Sequence, residues 1–475
     1  MMATFMTAVE STIVATAMPT IVADLGNFHL FSWVFAAYLL AQAVTVPIYG
    51  RLADLYGRRR VFFAGACIFL LGSTLCGFAQ SMPALVGFRA LQGIGGGAIQ
   101  PVTYTIVGDV YTPAERARVQ GFLSGVFGFS AIVGPSLGAF LVQHADWSII
   151  FWIHLPVGTL AIAMLATFYR EPAHPKPPRI NYLAPLLLML GGSALMAALI
   201  QGGTLSRPVL VGCVAIGVAA LAGLVFRERH AEAPMLPFRL WRNRVVALTN
   251  GGCFAMGMVM LSVTAFVPLY VQGVMGRSAT ATGAVLGTMS VSWALSGAIA
   301  GRILVHTGYR TTAMIGGAAL AIGSIVLVAV TPARGPLWVG AGTMLVGIGM
   351  GFCNTTFLVS VQAAVERTQR GTGTASNIFS RLVGQSVGAA LFGGLVNLGV
   401  MLIVPEARDA AENLMDPALR RGLPADELVA LTQAMAAALQ NVHLVAAVAG
   451  VAALVVGSRL PRTLDATAPP SRRRE

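Results

Sequence analysis

GRLADLYGRRR, residues 50–60, separates an apolar run at 29–49 from another at 61–80. Each run has about the 20 residues that a helix needs to cross a hydrocarbon core, where no water is present to satisfy a bare backbone. The basic stretch between them therefore reads as a tight turn outside the apolar layer, joining two antiparallel membrane-spanning helices. The same turn returns later: Gly50-Arg51-Leu52 with Gly57 matches Gly301-Arg302-Ile303 with Gly308, at an offset of 251.

Segments of the same kind recur on both sides of this turn. They are predicted at 3–21, 29–49, 61–80, 82–107, 119–142, 147–168, 182–201, 208–226, 246–272, 279–300, 312–330, 335–361, 372–401 and 441–458, which makes fourteen helices and an all-α membrane protein. Composition points the same way. Of 475 residues, 56% are hydrophobic and 10% charged, against about 25% charged in an ordinary soluble domain.

Two further matches follow the first in order. LQGIGGG (Leu91, Gly93, Gly95, Gly97) recurs as LVGIGMG (Leu345, Gly347, Gly349, Gly351) at offset 254, and GPSLGA from Gly134 recurs as GQSVGA from Gly384 at offset 250. The repeat unit is six helices, and helices 7 and 8 are left between the copies. The expected organisation is an N-terminal half at 1–168, two inserted helices and linkers at 169–245, a C-terminal half at 246–458 and a basic tail at 459–475. Two like-oriented halves around a midplane site describe alternating-access transporters.

The net charge of +13 would suit a nucleic-acid binder if it were clustered on a soluble face. Instead, 23 Lys and Arg fall in loops on one side of the segmentation and 6 on the other, with Arg89 and Arg381 inside helices. That asymmetry is the positive-inside signature, so the basic charge is topological, nucleic acid is not an expected partner, and both termini are expected in the cytoplasm. No cleavable signal peptide is expected, since the first span enters at the start. Cys67, Cys76, Cys213, Cys253 and Cys353 lie in apolar segments without metal-ligand spacing. The stretch 227–245 mixes Arg with Trp, Phe and Leu and is expected along the membrane surface. The outer loop at 402–440 has helical spacing broken by Pro417 and Pro424, which predicts one or two short helices capping the outer mouth.

Among the 18 acidic residues, Glu10 alone lies deep in a span. Arg89 is a second ionisable group within a helix, and such groups are costly in lipid unless they serve a cavity or meet a partner. Burial of a carboxyl group favours its neutral form, whereas an approaching cation favours the charged form. Glu10 is thus suited to carry a proton; the plainer alternative is that it pairs with Arg89 to hold helices 1 and 4 together. Tyr38, Gln42, Gln92, Asn250, Asn354, Arg381 and Gln385 are candidates for lining a substrate cavity, or for hydrogen bonds between helices. GIGGGA resembles a dinucleotide fingerprint only superficially, because it lies in an apolar helix with no preceding strand.

These motifs resemble the major facilitator superfamily, in particular its fourteen-helix drug:proton antiporter branch, over essentially the whole chain. Gly50 to Arg60 is similar to the signature loop between helices 2 and 3. There, Asp54 could sit against the positive end of helix 13 and Arg58 could reach Asp109, with Gly50 and Gly57 shaping the turn, as a gating latch; alternatively the cluster only fixes topology. Arg89-Ala90-Leu91-Gln92-Gly93 resembles the helix 4 motif. Gly134, Pro135 and Gly138 resemble the helix 5 antiporter motif, whose small-residue face packs on its counterpart in the other half. Val9 to Pro19 resembles the first-helix motif, with Glu10 where Asp is more usual. WSIIFWIHLPVG, Trp147 to Gly158, resembles the entry into helix 6, with His154 where Asn is common.

The resemblance implies a monomeric, proton-coupled exporter of amphipathic or hydrophobic small molecules in a bacterial inner membrane, with lipids around it and neither cofactor nor metal. Glu10 and Arg89 would couple the proton. A dedicated exporter of one metabolite, lipid or siderophore would carry the same motifs. A proton symporter or a non-transporting membrane sensor fits them less well, and no nucleophile–base set suggests an enzyme.

Overall fold

The computed structural model describes residues 1–110, 126, 129–130, 133–169, 183–202, 205–230, 240–365, 370–403, 414, 420 and 424–462. Its helices are α1 (Met2–Leu25), α2 (Phe31–Tyr56), α3 (Arg58–Gly77), α4 (Met82–Val110), α5 (described at 133–144), α6 (Ile149–Phe168), α7 (Leu183–Ile200), α8 (Arg207–His230), α9 (Arg244–Val274), α10 (Ala279–Leu304), α11 (His306–Val328), α12 (Gly335–Ala364), α13 (Arg370–Ile403) and α14 (Ala425–Ser458). Twelve of them are long and apolar enough to cross a membrane; α4 runs for 29 residues and α5 is described only in part. The chain forms two six-helix halves with α7 and α8 between them.

The internal repeat is visible in how the helices touch. In the first half, Gly93 and Gly97 of α4 lie against the carbonyls of Tyr38 and Gln42 on α2; in the second, Gly347 and Gly351 of α12 lie against those of Met289 and Trp293 on α10. On the other face of each helix, Gly95 meets Phe69 of α3 and Gly349 meets Leu320 of α11. Gly134 of α5 abuts Thr12 of α1, as Gly384 of α13 abuts Phe254 of α9. In a bilayer, where tails are as apolar as side chains, such close backbone approach supplies much of the association energy. The basic turn of the opening motif ends α2 with Gly57 at φ 97°, and its repeat Gly308 has φ 79°, a region that L side chains rarely adopt.

The most central helices are the first of each half: along the apolar 18-residue stretch of each helix, 88% of α1 and 89% of α9 is buried, against 17% of α8. The inserted pair accordingly faces outward with Val211, Val218 and Phe226 exposed, while α7 packs on α8, α2 and α13.

Two stretches differ from the expected pattern. The second part of the predicted outer loop is no separate cap: α14 begins at Ala425, directly after Pro424, and runs without a break into the last span. Leu431, Ala434, Met435, Ala438 and Leu439 are buried and continue the stripe of Val442 and Ala446, and neither Gly nor Pro interrupts them. The remainder of that loop, apart from Leu402 and Ile403 at the end of α13, Leu414, Arg420 and Pro424, lies outside the described residues, as does 231–239 of the surface stretch. From Arg420 the guanidinium donates to the carbonyls of Gln272, Gly273 and Val274, where the π-turn Tyr270–Val274 ends α9. A cation at these free carbonyls is favourably placed against the helix dipole.

The glycine contacts give a direct test of this packing. A Cβ at Gly95 would run into the backbone of Phe69 and Gly65, which no side-chain rotation relieves. Gly95→Val is expected to destabilise the bundle by about 1–3 kcal/mol, the usual range for overpacking. Gly87→Val, on the same helix but with nothing within 4 Å, is expected to be silent. Thermal unfolding of the two detergent-solubilised variants checks this; equal midpoints would refute it.

Candidate functional site

A closed polar cluster lies between α1, α3, α4 and α6. Glu10 stands about 12 Å along α1, taking 1.5 Å per residue, and is 0% exposed. Arg89, 2% exposed, reaches it from α4 and forms an ion pair through Nη1 and Oε1. The same Nη1 donates to Gln92 Oε1 at 2.6 Å, and Gln92 Nε2 donates to Glu10 Oε2 at 3.2 Å and to Ser73 Oγ at 3.1 Å. Arg89 and Gln92 are three residues apart on α4, so they share one helix face and grip the carboxylate together.

The guanidinium is further held by the Val34 carbonyl of α2, 3.3 Å from Nε, and lies over the Tyr38 ring at 4.2 Å from its centroid. A dehydrated cation over an aromatic face gains from the ring quadrupole. Between two helices that each contribute one charge, this arrangement removes the main objection to burying either of them.

His154 completes the cluster, although in the sequence it stands out only for occupying a place where Asn is common. Its Nε2 is 3.3 Å from Glu10 Oε2, and its Nδ1 is 3.1 Å from the Phe151 carbonyl and 3.2 Å from Ser73 Oγ. The helical ladder of α6 is interrupted at Ile153, three residues before Pro156, whose nitrogen has no hydrogen to give. Just before that break, the Phe151 carbonyl accepts from the Ser73 hydroxyl at 2.8 Å. A scan limited to acids could not have found His154; a scan for any ionisable residue in an apolar span would have.

Other predicted residues fall into separate groups. Tyr38 and Gln42 are buried on α2 facing Gly96 of α4. Gln92 is wholly buried inside the cluster rather than on a cavity wall. Asn250, 1% exposed, belongs to a second polar set between α9 and α13: its Nδ2 donates to Ser376 Oγ at 2.7 Å, and Asn377 Nδ2 donates to its Oδ1 at 3.4 Å. Arg381 and Gln385 follow on α13, with the Arg381 carbonyl against Gly257, and Asn354 on α12 is half-buried. Of the predicted latch, Arg58 donates to the Ala53 carbonyl at 3.3 Å, whereas the side chains of Asp54 and Asp109, and Gly50, lie outside the described residues.

In the described part of α5, Gly134 and Gly138 lie on α1, and the Pro135 carbonyl meets Gly283 of α10 in the other half. This contact belongs to a wider closure at the end of the bundle opposite the termini. Gln272 Nε2 donates to the Thr16 carbonyl at 3.3 Å, Thr280 Oγ1 to Gln143 Oε1 at 2.8 Å, and Asn397 Nδ2 to the His29 carbonyl at 3.1 Å. Phe266 of α9 meets Phe31 of α2 edge-on and Phe392 of α13 likewise, each at 5.7 Å between centroids. All three rings are at most 2% exposed, so the two halves are sealed together at that end.

Two pseudo-equivalent helical halves joined at one end, the first of them holding a buried ionic cluster, define a membrane transport protein. The family profile described as Major Facilitator Superfamily matches residues 1–389, and the chain belongs to that superfamily. It is 35% identical over 391 residues to multidrug resistance protein 3 of Bacillus subtilis (strain 168), covering 82% of this chain and 76% of that one. It is 32% identical over 398 residues to the multidrug transporter protein MdtP of the same organism, covering 83% and 74%. Among solved structures, a bacterial homologue of the human lysosomal transporter Spinster, in an inward-facing and occupied conformation, superposes with a TM-score of 0.66 at 15% identity, covering 99% of this chain and 97% of that one.

Proposed function

We propose that the protein exports amphipathic or hydrophobic small molecules, neutral or singly cationic, in exchange for protons, with Glu10 as the switch. The observation that carries this reading is the dry Glu10–Arg89–Gln92 cluster between α1 and α4. A carboxylate so placed is held by Arg89 and Gln92, and a proton arriving from the open side competes with them for it. Neutralising Glu10 loosens its hold on Arg89, and thus the contact of α1 with α4, so proton binding is tied to helix arrangement. The similarity to multidrug transporters supports export and a broad substrate class.

In this cycle the sealed end belongs to the outer face, both termini face the cytoplasm of a bacterial inner membrane, and the single chain works as a monomer. Residues 1–168, which hold the cluster, and 246–458 rock against each other with 169–245 as a peripheral insert. Tyr38, Gln42, Asn250, Asn354, Arg381 and Gln385 line the path of the substrate. Gly50, Asp54, Gly57, Arg58 and Asp109 latch the cytoplasmic end, while Gly134, Pro135 and Gly138 seat α5 at the seal.

Flux in proteoliposomes tests the reading. With an imposed pH gradient, labelled tetraphenylphosphonium is expected to move against its own gradient in exchange for protons, at least tenfold faster than in empty liposomes. Movement in the same direction as the protons would replace export by symport, and no proton-dependent movement across a panel of unrelated lipophilic cations and neutral dyes would retire it.

A further inference from the structure

We infer that Glu10 and His154 hold one exchanged proton between them, on Oε2 and Nε2, 3.3 Å apart. The inference rests on the proton-coupled reading above and adds a second proton-bearing residue to it. The hydrogens follow from the heavy-atom network. Ser73 has one hydroxyl proton, and the Phe151 carbonyl at 2.8 Å is nearer to it than His154 Nδ1 at 3.2 Å. Gln92 already donates to the Ser73 oxygen. The Nδ1 of His154 is 3.1 Å from that same Phe151 carbonyl, and a bare nitrogen facing a carbonyl lone pair would be repelled, so Nδ1 carries a hydrogen.

Neutral imidazole has only one N–H, so Nε2 then presents a lone pair to Glu10 Oε2. A bare nitrogen and a bare carboxylate oxygen are not stable neighbours at this distance in a dry interior, and Nε2, buried beside Oε2, has no hydrogen-bond partner in the described arrangement. One proton between them resolves the conflict, giving either a carboxylic acid beside imidazole or a carboxylate beside imidazolium. The other groups around the pair are Arg89 from α4, Tyr38 from α2, which faces Arg89, and Cys76 from α3, which faces Gln92; Phe69 of α3 meets the imidazole edge-on. Arg89 and Glu10 balance in charge, so the shared proton leaves the cluster with one net positive charge. A second would double that charge without a second carboxylate.

In the exchange, a proton entering from the outer side binds this pair, and its departure toward the cytoplasm leaves the carboxylate to Arg89 and Gln92 with His154 neutral. No bond other than O–H or N–H forms or breaks. The described arrangement, with Glu10 still paired to Arg89, is thus the proton-loaded state in its carboxylate–imidazolium form, with the outer end sealed.

The test is 15N NMR of histidine-labelled full-length protein in nanodiscs, without ligand, with the His154 signal among the seven histidines found by its loss in His154→Gln. At pH 6 His154 is expected to be protonated at Nδ1 and to share a proton at Nε2; in Glu10→Gln, Nε2 should be bare. A hydrogen on Nε2 with Nδ1 bare from pH 5 to 9, or a spectrum indifferent to Glu10→Gln, would overturn the assignment. In proteoliposomes, His154→Gln is expected to shift the pH of half-maximal tetraphenylphosphonium exchange by at least one unit, with His154→Asn as the second variant if the first fails to fold; an unshifted profile counts against it. Should wild-type protein move no probe at all, the transport reading fails while the NMR result still decides proton sharing.

Discussion

Glu10→Gln is expected to lower proton-driven efflux at least 100-fold while leaving the protein folded. Glutamine keeps the shape of the side chain and an oxygen for Arg89, but it has no proton to release. The cycle then loses the step that links the pH gradient to the movement of α1 against α4. Glu10→Asp keeps the chemistry and shortens the reach by one methylene, which lengthens the contacts to Arg89, Gln92 and His154 together. Its exchange is expected to fall by about tenfold, the scale on which an ångström of misplacement costs rate. The measurement is tetraphenylphosphonium flux in inverted vesicles under an imposed pH gradient, normalised to protein in the membrane. Wild-type flux by Glu10→Gln at normal expression would remove Glu10 from the mechanism.

Arg89→Met should be the most destabilising change in the cluster. It leaves the Glu10 carboxylate buried without its cation, and breaking one side of a buried pair costs about 3–5 kcal/mol. It also strips Gln92 Oε1 and the Val34 carbonyl of a donor and the Tyr38 ring of its cation. Thermal unfolding in detergent reads the loss as a lower midpoint. Adding Glu10→Gln to Arg89→Met removes the orphaned charge, so the double variant is expected to regain at least half of the lost stability. If the double variant is no more stable than Arg89→Met, packing on Tyr38 and Val34 accounts for the cost and the ion pair does not. Arg89→Lys should remain functional only in part, because a single ammonium cannot span Glu10, Gln92 and the Val34 carbonyl at once.

The contrast between Glu10 and His154 shows what a linear reading can register. Glu10 was legible because a carboxylate within an apolar run is anomalous at one position, whatever surrounds it. His154 was read only against the Asn common at its place, and its meaning comes from a partner 144 residues away. Gln92 was legible as polar and near Arg89, but whether it turned to a substrate path or inward to Glu10 depended on how α4 is rotated against α1 and α3. The boundary of α14 was missed for a related reason. Pro424 was read as a break inside a loop, whereas in the fold it precedes the first turn of a helix whose buried stripe continues into the membrane.

By itself the sequence determined the number of helices, their two-fold repetition and the presence of one deep carboxylate, because hydrocarbon imposes its demand on every segment separately. Tertiary structure alone decided that Glu10, Arg89, Gln92, Ser73 and His154 form one network, that α5 crosses to α10, and that Phe31, Phe266 and Phe392 seal one end. Those outcomes depend on helix rotation and on angles between helices, where a shift of one residue's turn exchanges a buried neighbour for lipid.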